Sequence, residues 1–134
     1  MGAIFVARSV KFGKWASDVG LSKHVFKLGY SEHDPKADVA RGWAGETDWA
    51  LLKQEPAEGL SEAQVAERVQ RKIKMIDPKY YPRLKDAVGL FKVDPVQVEN
   101  HMLVARALKG EAESLVIKLK PADFADYLLD LARR

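Results

Sequence analysis

The first half of the chain carries the apolar patterns that are typical of β-strands. A continuous apolar run at residues 3–7 suits a strand that is covered on both faces. The run VFKLGY at residues 25–30 combines β-branched, aromatic and aliphatic side chains, and Gly29 within it marks a bulge or a place where another backbone or a ligand approaches closely. We predict three strands that share one small sheet: residues 3–9, 24–30 and 48–54. The side chains expected on one side of the third strand are Trp49, Leu51 and Lys53.

Helix starts are marked by capping residues and by proline. Asp34-Pro35 places a cap before a proline at the first helical position and predicts a helix to about Arg41. Ser61–Gln64 is a capping-box sequence, in which the serine hydroxyl and the glutamine amide satisfy backbone amides of the first turn. Asp94-Pro95 begins another helix that is expected to stop at Gly110. The buried stripes expected on these last two helices are Val65, Val69, Ile73 and Ile76 on one and Val98, Met102, Ala105 and Leu108 on the other.

Shorter patterns fill the remaining segments. We expect an ordered loop or short helix near residues 15–19, a short helix over 80–87, an extended piece at 90–93, a strand over 114–119 and a C-terminal helix from Pro121. On that last helix, Phe124, Leu128 and Leu131 lie on one face. Strands and helices interleave without regular βαβ spacing, so we predict an α+β fold with a small mixed or antiparallel sheet flanked by several helices.

Length and composition favour one folded domain spanning residues 1–134. Hydrophobic residues make up 47% of the chain and charged residues 31%, which is far from the composition of a disordered protein. Since no apolar segment is long enough to span a bilayer and the start resembles no signal peptide, we expect a cytoplasmic protein without a membrane partner. The chain has no cysteine, which excludes disulfides, thiolate metal sites and a cysteine nucleophile.

The net charge of +3 is concentrated in the middle of the chain. Between residues 68 and 85 there are seven basic side chains against one acidic residue, Asp77. Such a surface can hold the phosphates of DNA or RNA, while neighbouring tyrosines stack on a base. The alternative is a solvated helix face with two core tyrosines. The predicted nucleic-acid contacts are Arg68, Arg71, Lys72, Lys74, Tyr80 and Tyr81.

Two segments resemble the motif strands of the GIY-YIG nuclease superfamily, especially its phage-associated subgroup. They are IFVA at residues 4–7 and VFKLGYSEHDP at residues 25–35. The most specific element is KLGY followed by Ser31 and Asp34-Pro35, which is similar to that subgroup's K-I-G-Y-T-x-x-D-P. The resemblance covers roughly the first half of the chain. It implies a small sheet with flanking helices, motif tyrosines, a helical arginine and a metal-binding glutamate that together hydrolyse phosphodiesters.

The resemblance assigns roles to individual residues of this chain. Lys27 stands at the first position of the second motif, and Phe5 occupies the position of the first tyrosine. Arg41 corresponds to the helical arginine, and Glu99 corresponds to the ligand that would hold Mg²⁺ or Mn²⁺ in a catalytic protein. These residues are therefore expected to converge on one cleft. Because Phe5 lacks the hydroxyl that could orient water, the resemblance implies either a nuclease or a descendant that binds nucleic acid without cleaving it.

Each predicted catalytic residue also has a purely structural interpretation. Lys27 lies between Phe26 and Leu28 and would then point out of a half-buried strand. Arg41 would interact with the C-terminal carbonyls of its helix, and Glu99 would lie on a solvated helix edge. A further class of function is a protein–protein interaction module without enzymatic activity, for which the sequence offers no motif.

Overall fold

The computed structural model describes residues 2–21, 24–43, 46–57, 59–73, 75–76, 89–108 and 120–133. Within these ranges the chain forms, in order, β1 (Ala3–Arg8), α1 (Val10–Asp18), β2 (Val25–Ser31), α2 (Pro35–Arg41), β3 (Ala50–Pro56), α3 (Glu62–Gln70), β4 (Leu90–Lys92), α4 (Pro95–Leu108) and α5 (Pro121–Arg133). The predicted short helix over 80–87 and the predicted strand over 114–119 lie outside the described residues.

The strands form one antiparallel sheet in the order β3-β1-β2-β4. β1 lies at the centre, where it pairs with β2 on one side and with β3 on the other. The α+β prediction is confirmed, and the three predicted strand segments share this sheet. The third strand begins and ends two residues later than expected, because the ladder with β1 runs from Ala50 to Pro56.

A β-bulge changes which side chains of β3 share a face. Val6 lies opposite Lys53 and Ala7 lies opposite Leu51, so Leu52 is an extra residue in the ladder. Leu51 packs with the aromatic residues beside α1, whereas the Nζ atom of Lys53 lies 2.6 Å from the carboxylate of Asp126 on α5. The prediction that Leu51 and Lys53 face the same side is therefore wrong, because the bulge shifts the alternation by one residue.

Both faces of the central strands are covered. We call the two layers the α1–α2 face and the α3–α5 face, after the helices that pack there. On the α3–α5 face, Ile4, Val6, Phe26 and Leu28 meet residues of α3, α4 and α5. On the α1–α2 face, Phe5, Ala7 and Val25 meet Phe12, Ala16, Val39 and Trp49. This division follows from the two-residue alternation of side chains along a strand.

α1 begins earlier than the sequence pattern suggested. Ser9 is its cap, because the Ser9 hydroxyl accepts a hydrogen bond from the Phe12 amide and donates one to Asp48. Burial would raise the pKa of Asp48, but the bonds donated by Ser9 and by the Lys11 amide outweigh it and hold that pKa below its ordinary value. The expected loop or short helix near residues 15–19 is thus a nine-residue helix that starts at Val10.

The other helix starts follow the predicted caps. Asp34 accepts from the Lys36 amide ahead of α2, and both bonds of the Ser61–Gln64 capping box are formed at α3. α3 nevertheless ends at Gln70, before Ile73 and Ile76, because the chain turns there and passes beside β4. The expected single stripe is therefore divided between the two faces: Ile73 packs on the α3–α5 face and Ile76 on the α1–α2 face.

α4 departs from its predicted stripe, whereas α5 follows its own. Val98 is buried and Met102 packs against the core of the α3–α5 face, but Leu108 is 85% exposed. The expected burial of Leu108 is therefore wrong. On α5, the side chains expected on one face are all buried: Phe124, Leu128 and Leu131.

Candidate functional site

Lys27 is the most unusual side chain of the sheet, because it is an ionisable group that is only 1% exposed. Its neighbours Phe26 and Leu28 pack on the α3–α5 face, so strand alternation turns Lys27 towards the α1–α2 face. That face is covered as well. The structural interpretation of Lys27 as a residue pointing to solvent from a half-buried strand is therefore wrong.

The acidic partner of Lys27 is Glu62, the first residue of α3. The Lys27 ammonium donates a hydrogen bond to Glu62 Oε1, and the Glu62 side chain is 45% exposed. Burial lowers the pKa of Lys27 because the ammonium loses its hydration, and the neighbouring Glu62 carboxylate acts in the opposite direction. The pair thus connects a buried cation to a carboxylate that still reaches water.

Aromatic rings enclose the ammonium group. The Nζ atom of Lys27 lies 5.4 Å from the centroid of the Trp43 ring, within the range of a cation–π interaction. Trp43 stacks on Phe5 with 5.8 Å between ring centroids and meets Trp49 edge-on at 5.3 Å. Trp49 also donates a hydrogen bond from Nε1 to the Trp43 carbonyl. Trp43 is therefore held by its stacking on Phe5 and by its two contacts with Trp49.

Gly29 provides the space for this arrangement. It lies opposite Phe5 in the ladder of β1 and β2. A Cβ atom on Gly29 would lie 2.7 Å from Phe5 Cζ and 3.4 Å from Glu62 Oε1, so a larger residue would displace the ring. Gly29 was expected to mark a bulge or the approach of another backbone or a ligand, but the group that approaches it closely is the Phe5 side chain, and the ladder with β1 is regular there.

The remaining predicted catalytic residues lie in different surroundings. Arg41 ends α2 with its side chain 75% exposed and pairs with Asp38 in the same helix. Glu99 is exposed on α4, whose neighbouring Val98 packs on the α3–α5 face, across the sheet from the Lys27 side chain. The structure pairs Lys27 with Glu62 rather than with Glu99.

The surroundings of Glu99 do not form a metal site in the part of the chain that the structure describes. Nowhere in that part do three or more histidine, aspartate or glutamate side chains form a group suited to a metal ion. His101, two residues after Glu99, interacts with another helix: its Nε2 atom lies 3.0 Å from Asp130 Oδ2 of α5. The described residues therefore supply no cluster of ligands for Mg²⁺ or Mn²⁺ around Glu99.

The predicted nucleic-acid contacts fall into three groups. Arg68 is half-buried and donates from Nη1 to the carbonyl of Ala132, 3.1 Å away at the end of α5. Arg71 and Lys72 are exposed just beyond the end of α3, and Arg71 lies 3.9 Å from Glu67. Lys74, Tyr80 and Tyr81 lie outside the described residues. The described basic surface thus consists of Arg71 and Lys72.

Sequence reasoning missed Glu62 as the partner of Lys27. The capping box identified Glu62 as the first residue of a helix, but the two residues are 35 positions apart. Whether the start of α3 reaches β2 depends on how the helix packs on the sheet. A lysine between two apolar strand residues was the one signal that a carboxylate partner was needed.

Comparison with known proteins gave no significant match to a family model, a curated protein or a solved structure. Among the described residues, no helix combines the length and the apolar character needed to cross a bilayer.

Proposed function

We propose that this chain is a cytoplasmic nucleic-acid-binding domain, a GIY-YIG-like protein that binds without cleaving. The observation that carries the proposal is the burial of Lys27 at the first position of the second motif. Its ammonium is paired with Glu62 and covered by Trp43, where a phosphodiester in solvent does not reach it. Phe5, at the position of the first tyrosine, brings a ring and no hydroxyl. Both motif positions are thus used for packing.

The sheet supports the same proposal. The two motif segments are neighbouring antiparallel strands, β1 and β2, at the centre of a small sheet with helices on both faces. This is the arrangement that the GIY-YIG resemblance implies. With these motif positions filled by packed side chains, Phe5 brings no hydroxyl that could activate water, which favours binding without cleavage.

The proposed contact surface is the basic segment beyond α3. Arg71 and Lys72 are exposed, and Lys74 follows two residues later in the sequence. The ion pair of Arg71 with Glu67 is long and exposed, so it competes only weakly with a phosphate. Three to four phosphate contacts correspond to a log–log salt slope of about −3 on duplex DNA and a shallower one on single strands.

Fluorescence anisotropy of labelled single- and double-stranded oligonucleotides across salt concentrations tests the surface. The variant Arg71→Ala, Lys72→Ala, Lys74→Ala should raise Kd by about tenfold or more at low salt and flatten the salt slope. A matched control, Lys36→Ala, Lys92→Ala, Lys120→Ala, removes the same charge from exposed positions elsewhere and should weaken binding less. Equal binding by wild type and the first variant, or a flat salt response, would remove this surface as a nucleic-acid site.

The absence of cleavage is tested separately. Supercoiled and linear DNA incubated with Mg²⁺ or Mn²⁺ should remain intact, because the motif positions are occupied by Phe5 and the buried Lys27. Cleavage that is abolished by Glu99→Ala would instead establish a nuclease that uses Glu99.

A second candidate is the protein–protein interaction module, which one feature of α4 favours. Large apolar side chains of this helix are exposed: Val96, Leu103, Val104 and Leu108. Such residues on one helix are typical of an interaction surface. A second copy of the chain is the simplest partner. Sedimentation velocity should then show association that rises with concentration and disappears in the variant Leu103→Ser, Val104→Ser. A monomer at all concentrations would exclude this partner.

A further inference from the structure

A groove of about 510 Å³ lies between α1 and the start of α5. It lies beside Arg8, the last residue of β1, and beside His24, the residue before β2. The lining residues that matter for its chemistry are Arg8, Lys14, Asp18, His24, Phe26 and Phe124. The volume falls in the range of small-molecule sites.

Two cations, Arg8 and Lys14, line the groove. Within the described ranges of the chain, neither forms an ion pair or a side-chain hydrogen bond with an acidic residue. A guanidinium and an ammonium group together suit a phosphate, which accepts several charge-assisted hydrogen bonds. The backbone amides of the adjacent α1 start contribute little, since Ser9 and Asp48 already accept from Phe12 and Lys11. The attraction must therefore come from the two side chains.

An aromatic wall lies beside these cations. The rings of His24 and Phe124 are stacked with 4.9 Å between centroids and 11° between planes, and Phe124 stacks in turn on Phe26 at 5.0 Å. Phe26 and Phe124 are each 3% exposed, so the partly exposed His24 ring supplies most of the surface of this wall, and such a ring favours a planar heteroaromatic group. Asp18, one helical turn from Lys14 on α1, is an acceptor for sugar hydroxyl or base amino groups and limits the groove to a single phosphate.

We propose that this groove binds one nucleoside phosphate unit. Arg8 and Lys14 hold its phosphate, the base lies along the wall that includes His24, and Asp18 accepts from its sugar or base. Two sources supply this chemistry: a free mononucleotide and the 5′-terminal nucleotide of a strand. The second source rests on the proposed function, whereas the first does not.

Isothermal titration calorimetry with adenosine 5′-monophosphate, adenosine, ribose 5-phosphate and inorganic phosphate tests the groove. Adenosine 5′-monophosphate should bind saturably, and each of the other three should bind at least about tenfold more weakly, because each lacks the base or the phosphate. The variant Arg8→Gln, Lys14→Gln should lose at least about tenfold in affinity for the monophosphate. The control Lys36→Gln, Lys92→Gln removes two exposed charges elsewhere and should bind as wild type. Undetectable binding of the monophosphate, or equal binding by the Arg8 and Lys14 variant, overturns the proposal.

Anisotropy with single strands that carry or lack a 5′-phosphate distinguishes the two sources. Preference for the phosphorylated end, lost in the Arg8→Gln, Lys14→Gln variant, assigns the groove to strand ends. Mononucleotide binding without such a preference assigns it to a free nucleotide. The protein could instead bind strands through Arg71 and Lys72, without Arg8 and Lys14, and fail to bind the monophosphate. That result would support the proposed function and overturn the proposal that the groove binds a nucleotide. If the wild-type protein binds the monophosphate but no strand, the groove proposal stands and the proposed function is overturned.

Discussion

Lys27 places a charge inside a sheet, where an ammonium is destabilising unless it has a partner. Glu62 supplies that partner, and the rings of Trp43 and Phe5 keep water from the pair on one side. Burial lowers the pKa of Lys27 and Glu62 opposes that change, so the two residues act as one unit. Without a nearby carboxylate, a lysine at this position would destabilise the folded protein.

Of the two single substitutions that break the pair, the one at Glu62 should lower stability more than the one at Lys27. Glu62→Gln leaves a buried ammonium without its carboxylate, and we expect the free energy of unfolding to fall by roughly 1–3 kcal/mol, since water reaches half-exposed Glu62 and softens the loss. Lys27→Met should leave stability unchanged or raise it, because an apolar side chain of similar length fills the same space. Urea denaturation measures both.

The double variant completes the cycle. In the Lys27→Met background, Glu62→Gln should change the unfolding free energy by less than about 0.5 kcal/mol, because the charge it served is gone. Glu67→Gln, at an exposed site on the same helix, is the matched control. Equal effects of Glu62→Gln with and without Lys27 would show that the pair is not coupled.

The lowered pKa of Lys27 also predicts a dependence of stability on pH. Between the folded-state pKa and the ordinary lysine value, the unfolded chain still binds the proton that the folded chain has released. Stability therefore rises with pH across that window, relative to a variant without the lysine. The difference in unfolding free energy between wild type and Lys27→Met, measured from pH 7 upwards, should shift in favour of wild type. A shift in favour of Lys27→Met as the pH rises would mean that folding raises the pKa of Lys27 instead of lowering it.

Local capping sets where the helices begin, and tertiary packing has more influence on where they end. The caps at Ser9, Asp34 and Ser61 begin α1, α2 and α3 through bonds within a few residues of sequence. Helix ends depend more on packing. α3 stops at Gln70, and the end of α5 receives a hydrogen bond from Arg68 on α3. Arg68 thus connects two helices that lie far apart in the sequence.

Arg68 should matter for stability more than for binding. Arg68→Met removes the donor to the Ala132 carbonyl while keeping an aliphatic side chain, and we expect a loss of about 0.5–1.5 kcal/mol in unfolding free energy. Arg71→Met, one turn further along, should stay within about 0.5 kcal/mol of wild type but weaken oligonucleotide binding. Urea denaturation and anisotropy separate the two roles. The opposite pattern would make Arg68 the nucleic-acid contact.

At the scale of the whole molecule, the sheet order decides which segment is most enclosed. β1 is bonded to a strand on each side and covered by a core on each face. β3 and β4 have one partner each within the described sheet and lie at its edges. A strand with all four sides covered opens only when the whole structure opens.

Hydrogen exchange should reveal this order. The amides of Phe5 and Val6 are expected to exchange last, with an opening free energy close to that of global unfolding, while those of β3 exchange earlier. Native-state exchange followed by nuclear magnetic resonance across low denaturant concentrations measures both. Slowest exchange in α4 or β3 would show that the stable core lies elsewhere.

The sequence by itself determined the strands at residues 3–9 and 24–30, the caps of α2 and α3 and the buried face of α5, because apolar periodicity and capping act over a few residues. It also contains the residues that resemble GIY-YIG motifs. Only the tertiary structure decided the bulge that separates Leu51 from Lys53, the exposure of Leu108 and the pairing of Lys27 with Glu62. Each of these depends on which elements meet in space, and residues 35 positions apart carry no local sign that they will be neighbours.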